Sequence, residues 1–434
     1  MSLMLQSISL TKTARAVAIV LTILVWLLLR WIEFLSGFVE VSRPRLLVAI
    51  LMPILFLLFY LSRGTAGMLK AKATLERIRT RLGRRQRVSL SIIVLLTFSA
   101  LGYALFLSRL HRGARMGDTP LFQQSVETTA NFSGLLSNDV ERGSHFKAHN
   151  SPFLLMFVPI IWVFGRNGWL LIQFLHSAVI ILWVYIVSFG VSRITERPNW
   201  KWPLIAGLFL ATYTQHATFY DTRFAALGLA LFVGGLLLRR GRRVIALGFL
   251  ISMISRETAM LTIAFSLIAI PRGLIRNRSR LCLIAVCVMW ILGSVLFMRL
   301  LGGPVSLNRF NACLTVPSVS LAYIQCAAGS VAGDWPLKLA YTLRIMAFSP
   351  AVLFSPAGIL AGVPDVSASW LSKNGTLYSL HWHYYMPILG VALLFGYYQI
   401  KRMAWLRANL HILLSWTVAT CLWQFFTTFR LNLF

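Results

Sequence analysis

The sequence predicts an all-α, polytopic integral membrane protein with about 11–13 transmembrane helices. Three observations carry this. Apolar runs of roughly 17–25 residues, the length that covers a bilayer core, recur along the chain. Charged residues make up 12% of the 434 residues and apolar ones 58%, whereas a soluble domain carries about 25% charge. The basic residues also collect in short intervals between apolar runs, as cytoplasmic loops do in a multi-span chain. A membrane barrel would instead show short segments of alternating polarity.

The net charge is +30, from 42 Lys and Arg against 12 Asp and Glu. Nucleic acid is rejected as a partner, because the cations are spread among short inter-span loops. Anionic lipid headgroups at the cytoplasmic face fit the pattern.

Residues 16–35 form the first expected span, preceded by Lys12 and Arg15. This run is too long for a cleaved signal and further spans follow, so it reads as an anchor with a cytoplasmic N-terminus. The second span is 45–62. The interval 63–87 holds nine Lys and Arg against Glu76 alone, and its ATLERIRTRLGRR core suits a helix lying on anionic lipid. Span three, 88–107, leads into the longest polar interval, 109–152, which is expected outside. Residues 151–165 are short and contain Pro152 and Pro159, which fits an interfacial or re-entrant helix.

Span four, 169–192, ends in Arg193 and Arg197, and span five covers 202–219. Span six, 224–238, ends in the basic run Arg239 to Arg243. Two short spans, 244–255 and 258–270, meet at Arg256 and Glu257, and span nine is 281–301. Residues 302–336 read as a second outer loop. The pieces 337–348 and 351–363, broken by Pro350 and Pro356, read as a helical hairpin. Residues 364–385 form a third outer loop, and spans at 386–400 and 410–427 complete the chain. The organisation is therefore N-terminal helices with a basic loop (1–108), an outer loop with interfacial helices (109–165), a transmembrane core (166–301), and outer loops with C-terminal helices (302–434).

Of the five cysteines, Cys282, Cys287 and Cys421 lie in spans as small packing residues. Cys313 and Cys326 share one expected outer loop, where oxidising conditions would allow a disulfide. Only Glu76 and Glu196 of the 12 acids fall in expected cytoplasmic intervals. The positive-inside rule does not demand this, since acids contribute little to it. A polar cavity opening outward would.

Several residues there could carry chemistry. Asp118 lies in GDTPLFQQ and could act as general base toward a hydroxyl, or serve as a solvated acid or the cap of a helix starting at Pro120. His145 and His149 are four apart and share a face if helical. They could bond a phosphate, or with Asp118 hold a divalent metal, or be structural. Asp221 with Arg223, and Arg256 with Glu257, are ionisable pairs at span ends. Each is either a structural ion pair or a grip for a phosphate. His381, Trp382, His383, Tyr384 and Tyr385 read as an interfacial aromatic belt or a site wall. Arg109, Arg112 and Arg115 sit outside against the usual bias and could attract a lipid phosphate or cover headgroups. No Walker, HExxH, GxSxG or Rossmann pattern occurs in a usable context.

In chain order, MGDTPLFQQ, HFKAHNSPFLLMFVPIIWVFG, LLIQFLHSA, FYDTRFAALGLAL, SRETAML and SLHWHYYMPIL resemble the bacterial membrane family catalogued as domain of unknown function 2079. That family's pattern runs FDxGxFDQ, a DHFSP-like segment, LQ, an FDFH turn, a KE pair and a late YHY. The resemblance covers residues 117–394, and the family in turn resembles the GT-C glycosyltransferases. By position, Asp118 and Gln124 match FDxGxFDQ, His149 the histidine before SP, Asp221 the FDFH turn, Glu257 the KE pair, and His383 with Tyr384 the YHY. Gln123, Arg223 and Arg256 replace an Asp, a His and a Lys, which removes two possible metal ligands. The resemblance implies an inverting transferase with no cofactor, a divalent metal being the disfavoured alternative. It would take a sugar from a polyprenyl-phosphate carrier on the outer face of the inner membrane. Asp118 would be the general base; Gln124, His145, His149, Asp221, Arg223, Arg256, Glu257, His383 and Tyr384 would bind substrate. A transporter or flippase for a lipid-linked or anionic solute is the alternative, since broken helices and buried ion pairs suit it too.

Overall fold

The computed structural model describes residues 119–212, 219–301, 320–372 and 385–428, together with 92–93, 96–97, 99–100, 103–104 and 216. The first two expected spans and the basic interval 63–87 lie outside the described residues. So do Arg109, Arg112, Arg115, Asp118, Cys313, and positions 381–384. The fragments between 92 and 104 are helical, as expected for span three.

The polar interval folds into a small cap. Helix α1 (Thr119–Ala130) carries Pro120 in its first turn, where a missing N–H costs nothing. A two-stranded ribbon, β1 (Ser137–Asn138) and β2 (Gly143–Ser144), is sewn onto it. Thr128 donates to Ser137 O at 2.7 Å, and Leu136 N donates to Thr129 Oγ1 at 2.7 Å. The turn of the ribbon needs left-handed backbone at Arg142 (φ 51°) and at Gly143 (φ 143°). A 3-10 turn (His145–Lys147) and a second one (Pro152–Phe157) lead to helix α2 (Val158–Phe164). On this stretch Met156, Trp162, Val163 and Phe164 are exposed, which agrees with a segment that meets lipid rather than water.

The remaining helices form the main bundle: α3 (Gly168–Ile194), α4 (Lys201–Ala211), α5 (Thr222–Leu237), α6 (Arg242–Ser255), α7 (Glu257–Ala269) and α8 (Asn277–Leu300). After the second gap come α9 (Leu321–Ala332), α10 (Trp335–Phe348) and α11 (Pro356–Leu371). Helices α12 (Tyr385–Lys401), α13 (Ala404–Ala408) and α14 (Leu410–Thr428) close the chain. Two apolar cores result. One runs through the bundle around Trp183, Phe232, Tyr341 and Tyr397; the other fills the cap around Phe122, Leu136, Phe157 and Phe219.

Several expectations need correction. The second outer loop contains helix α9, and α10 begins at Trp335, inside the interval read as loop. The third outer loop begins later than expected, because α11 runs through Pro364 to Leu371. Proline ordinarily breaks a helix, but Ser355 caps this one at Gly358 N and packing carries it past the missing N–H of Pro364. Span five ends early, with α4 stopping at Ala211. Cys326 is disulfide-bonded, while Cys282, Cys287 and Cys421 are free thiols.

Among the described residues, two helical runs are long and apolar enough to cross a membrane, Pro152–Ile194 and Asn277–Leu300. The second is buried over only 17% of its most apolar window. Leu281, Met289, Leu292, Leu296 and Leu300 face outward from it, a surface that lipid tolerates and water does not. Helices α6 and α7 have 14 and 13 residues, so each spans about 20 Å, short of a 30 Å bilayer core. Their junction therefore puts backbone and charge at depth.

Small residues bring α5 and α6 close together. A Cβ on Gly248 would run into the Phe232 amide nitrogen and come within 2.8 Å of Gly228 O. Close backbone approach is the usual way helices associate where lipid removes the hydrophobic drive. The same bundle has a chemical polarity. Arg193 and Arg240 both lie over the Phe189 ring, at 5.3 and 5.4 Å, and Lys401 pairs with Glu196 at 2.7 Å. The basic segments that follow α3, α5 and α12 thus share one end. The N-termini of α5 and α7 lie at a different, acid-bearing end.

Replacing Gly248 with Leu should force α5 and α6 apart and destabilise the bundle by about 1–3 kcal/mol or more. A thermal melt of the full chain in nanodiscs reads this, and an unchanged midpoint would refute the tight crossing.

Candidate functional site

Helix α6 ends at Ser255 and α7 begins at Glu257, so a single residue, Arg256, joins them in extended conformation (φ −166°, ψ 138°). That break turns Arg256 inward, where it is only 3% exposed. An isolated guanidinium there would be prohibitively costly, so the fold surrounds it with partners. Arg256 Nη1 donates to Asp221 Oδ1 at 2.9 Å. Asp221 stands at the N-terminal edge of α5, and its other oxygen accepts from the Ser151 hydroxyl at 2.9 Å.

His149 completes the line. Its Nδ1 lies 3.1 Å from Glu257 Oε1, and its Nε2 lies 3.0 Å from Arg256 Nη2. A carboxylate only accepts and a guanidinium only donates, so the neutral ring carries its proton on Nδ1. Burial pushes the His149 ring below its ordinary pKa, and the Arg256 charge pushes it the same way, against Glu257. The order is Asp221, Arg256, His149, Glu257. Asn150 anchors the cap segment beside it, donating from its backbone to Glu257 Oε2 at 3.0 Å and from its side chain to Ser294 on α8 at 2.7 Å. Residues separated by 35 to 144 positions thus meet in one network.

A cavity of about 100 Å³ opens against this network. Arg256 forms part of its wall, with Thr222 from α5, Thr258 and Thr262 from α7, Asp365 from α11 and Pro387 from α12. Thr262 donates to Asp365 at 3.2 Å. The wall therefore offers one cation, one carboxylate and three hydroxyls over an apolar floor.

Of the sequence-predicted residues, His149, Asp221, Arg256 and Glu257 come together. His145 stands next to them, its ring 5.6 Å from that of His149, but its Nδ1 is taken by Glu141 at 2.9 Å. Gln124 is elsewhere: it bonds Asp139 in both directions, at 2.7 and 3.0 Å, and holds the ribbon turn to α1. Arg223 also departs, lying over the Tyr220 ring at 5.3 Å on the side of α3 rather than beside Arg256. Neighbours in sequence on a helix N-terminus diverge by about 100° per residue, so Asp221 and Arg223 cannot share one target. Asp118, His383 and Tyr384 lie outside the described residues.

The sequence reading missed Ser151, Thr262 and Asp365. Asp365 had a signal: it is the last acid of the chain, set in the apolar stretch AGVPDVSAS. Reading Pro364 as the start of a loop hid it. Among the described residues, no three His, Cys, Asp or Glu side chains are grouped to hold a metal ion.

A family model described as "Predicted membrane protein (DUF2079)" matches residues 92–433. No curated protein and no solved structure matches the chain.

Two outcomes follow from this network. Asp221→Asn should cost about 3–5 kcal/mol by stranding the buried Arg256 charge; a melting midpoint within error of the parent would mean the pair is not buried. The second concerns pH. Burial raises the Glu141 carboxyl, but the His145 hydrogen bond and charge, with Asn138, outweigh it and hold the pKa below the ordinary 4.5. His149 is likewise held below 6.5. Both depressed values mean the unfolded state binds protons first as pH falls. Docking of 141–151 is therefore complete above about pH 6.5 and weakens below it, first through His149 and then, under pH 4.5, through Glu141. Amide exchange in this segment, corrected for intrinsic rates, should quicken on acidification, and slowing would contradict the assignment.

Proposed function

This chain belongs to the DUF2079 family of predicted membrane proteins, and from that premise we propose that it is a membrane glycosyltransferase of GT-C type. It transfers a sugar from a polyprenyl-phosphate carrier to an acceptor hydroxyl, on the face of the membrane away from its basic loops. The observation that carries this reading is that Arg256, held by Asp221 and His149, forms part of the wall of the Asp365 cavity. Purely structural ion pairs would need no cavity beside them.

The lining suits a neutral, hydroxyl-rich ring. Asp365 and the threonine hydroxyls accept and donate to sugar hydroxyls, and the apolar floor of Ala225, Leu229 and Pro387 matches a ring face. Arg256 is fixed by Asp221 and His149, so it can donate to a sugar hydroxyl without reorganising. Its charge is already offset by Asp221 and Glu257, which favours a hydroxyl or a partial charge over a full phosphate dianion.

Asp118 is the general base in this mechanism. Thr119, the next residue, is buried and accepts from Phe219 N at 2.9 Å, which ties the start of α1 to the segment leading into Asp221. The Asp118 carboxylate takes the acceptor hydroxyl proton. The freed oxygen attacks the anomeric carbon from the face opposite the leaving group. The bond from that carbon to the phosphate oxygen breaks, and the phosphate leaves with the electron pair, inverting the centre. No cofactor enters this scheme.

The transporter reading shares the ion pairs but makes no covalent product. Full-length protein in nanodiscs, given radiolabelled polyprenyl-phosphate sugars, should consume one of them. Asp118→Asn should lower consumption by at least 100-fold while folding normally, as loss of a general base does. Unaltered turnover in that variant would eliminate Asp118 as base, and translocation without a product would eliminate the transferase.

A further inference from the structure

A set of buried polar side chains is left over by the network above. Gln173, His176 and Ser177 lie three and four apart on one face of α3. His216 sits in the segment between α4 and α5, with its ring 5.6 Å from that of Phe209. Arg223 follows Thr222 at the start of α5. All five are 0% exposed. Tyr220 N donates to His176, and Arg223 lies over the Tyr220 ring at 5.3 Å; Arg223 is close enough to act electrostatically on both His176 and His216, and His216 acts on His176.

Their hydrogen bonding is lopsided. His176 Nε2 accepts from Tyr220 N at 3.4 Å. The neutral ring therefore carries its proton on Nδ1, and that Nδ1 meets no acceptor among the described residues. Both ends of the Gln173 amide, the Ser177 hydroxyl and both His216 nitrogens are equally without partners there. So is the indole N–H of Trp169, one turn before Gln173 on α3. Burying such groups without a partner is costly. Apolar residues of the same size would pack at less cost. Asp221, the nearest carboxylate in sequence, has its oxygens engaged by Arg256 and Ser151.

We propose that Gln173, His176, Ser177, His216 and Arg223 form a second buried site that binds a phosphate-class oxyanion, distinct from the Arg256 cavity. A phosphate presents acceptors only, which is what an unbonded imidazole N–H, an amide NH₂, a hydroxyl and an indole N–H require. Arg223 adds a planar fork that can hold two oxygens at once and repels cations. Free phosphate and the phosphate of a carrier lipid share this chemistry. The site does not rest on the transferase reading, since it needs binding and no turnover. The LLIQFLHSA stretch, which the Arg256 network leaves unused, supplies three of the five residues.

The test uses the full chain in phosphatidylcholine nanodiscs, with melting followed by the fluorescence of its 14 tryptophans. Inorganic phosphate is titrated in one arm, with sulfate as competitor, and polyprenyl phosphate is incorporated into the discs in the other. The parent protein should melt higher in at least one arm. A shift with inorganic phosphate supports a free anion; a shift confined to the lipid supports a headgroup. Gln173→Leu and His216→Leu remove partnerless polar atoms, so without ligand they should melt at or above the parent midpoint. With ligand, they should lose the shift and bind at least tenfold more weakly. No shift in either arm of the parent, or the same shift in both variants, would overturn the site. Asp118→Asn should keep the anion shift whether or not it abolishes turnover, which separates this proposal from the transferase.

Discussion

The arrangement depends on one buried ion pair. Arg256 stands between two helices too short to cross a bilayer, and Asp221 neutralises it at 2.9 Å. Neither charge is tolerable alone at that depth. Their pairing fixes the top of α5 against the joint of α6 and α7. It also gives the cap something to dock on: Ser151 takes the second oxygen of Asp221, while His149 and Asn150 take Glu257. The polar interval is thereby held to the bundle by hydrogen bonds to a pair that the bundle itself needs.

The two arginines near this end differ in what surrounds them, and this separates their chemistry. Arg256 is ringed by Asp221, Glu257 and a neutral histidine, and a carboxylate shares its cavity wall. Arg223 acts on the imidazoles of His176 and His216, and His176 shares its face of α3 with the unbonded Gln173 and Ser177. A site that is already balanced in charge suits a neutral polyol. A site rich in donors suits an oxyanion. That contrast comes from packing across α3, α5 and α7, and neither Arg-containing motif contains it.

Away from the polar end, the bundle uses few specific devices. Close glycine contacts join α5 to α6, and Gly396 lets α12 approach Ala351, where a Cβ would come within 2.8 Å of backbone. Buried Lys338 donates to the carbonyls of Ser330 and Trp370, which ties α9, α10 and α11 together. Trp416 and Thr420 on α14 both donate to Ala347 O, at 2.9 and 3.1 Å. These bonds satisfy backbone groups freed near Pro350 and give the C-terminal helices their register.

Much of the architecture was legible in the chain alone. Long apolar runs separated by basic clusters mark helices and their ends, because hydrophobic length and loop charge are local properties. The expected positions of α3, α5, α6, α7, α8, α12 and α14 agree with the structure to within a few residues for that reason. Motif order pointed to His149, Asp221, Arg256 and Glu257. What local pattern could not reveal is who meets whom. Asp365 was mistaken for a loop acid because proline normally ends a helix, and only the packing of α11 against α7 and α12 carries the helix past it. Gln124 and Arg223 were grouped with the site by their motifs, but the direction of a side chain on a helix is set by its phase against neighbours. Tertiary structure decided those questions, since a contact across 70 or 108 residues depends on how helices cross, and crossing is fixed by small residues and buried pairs far from the residues it brings together.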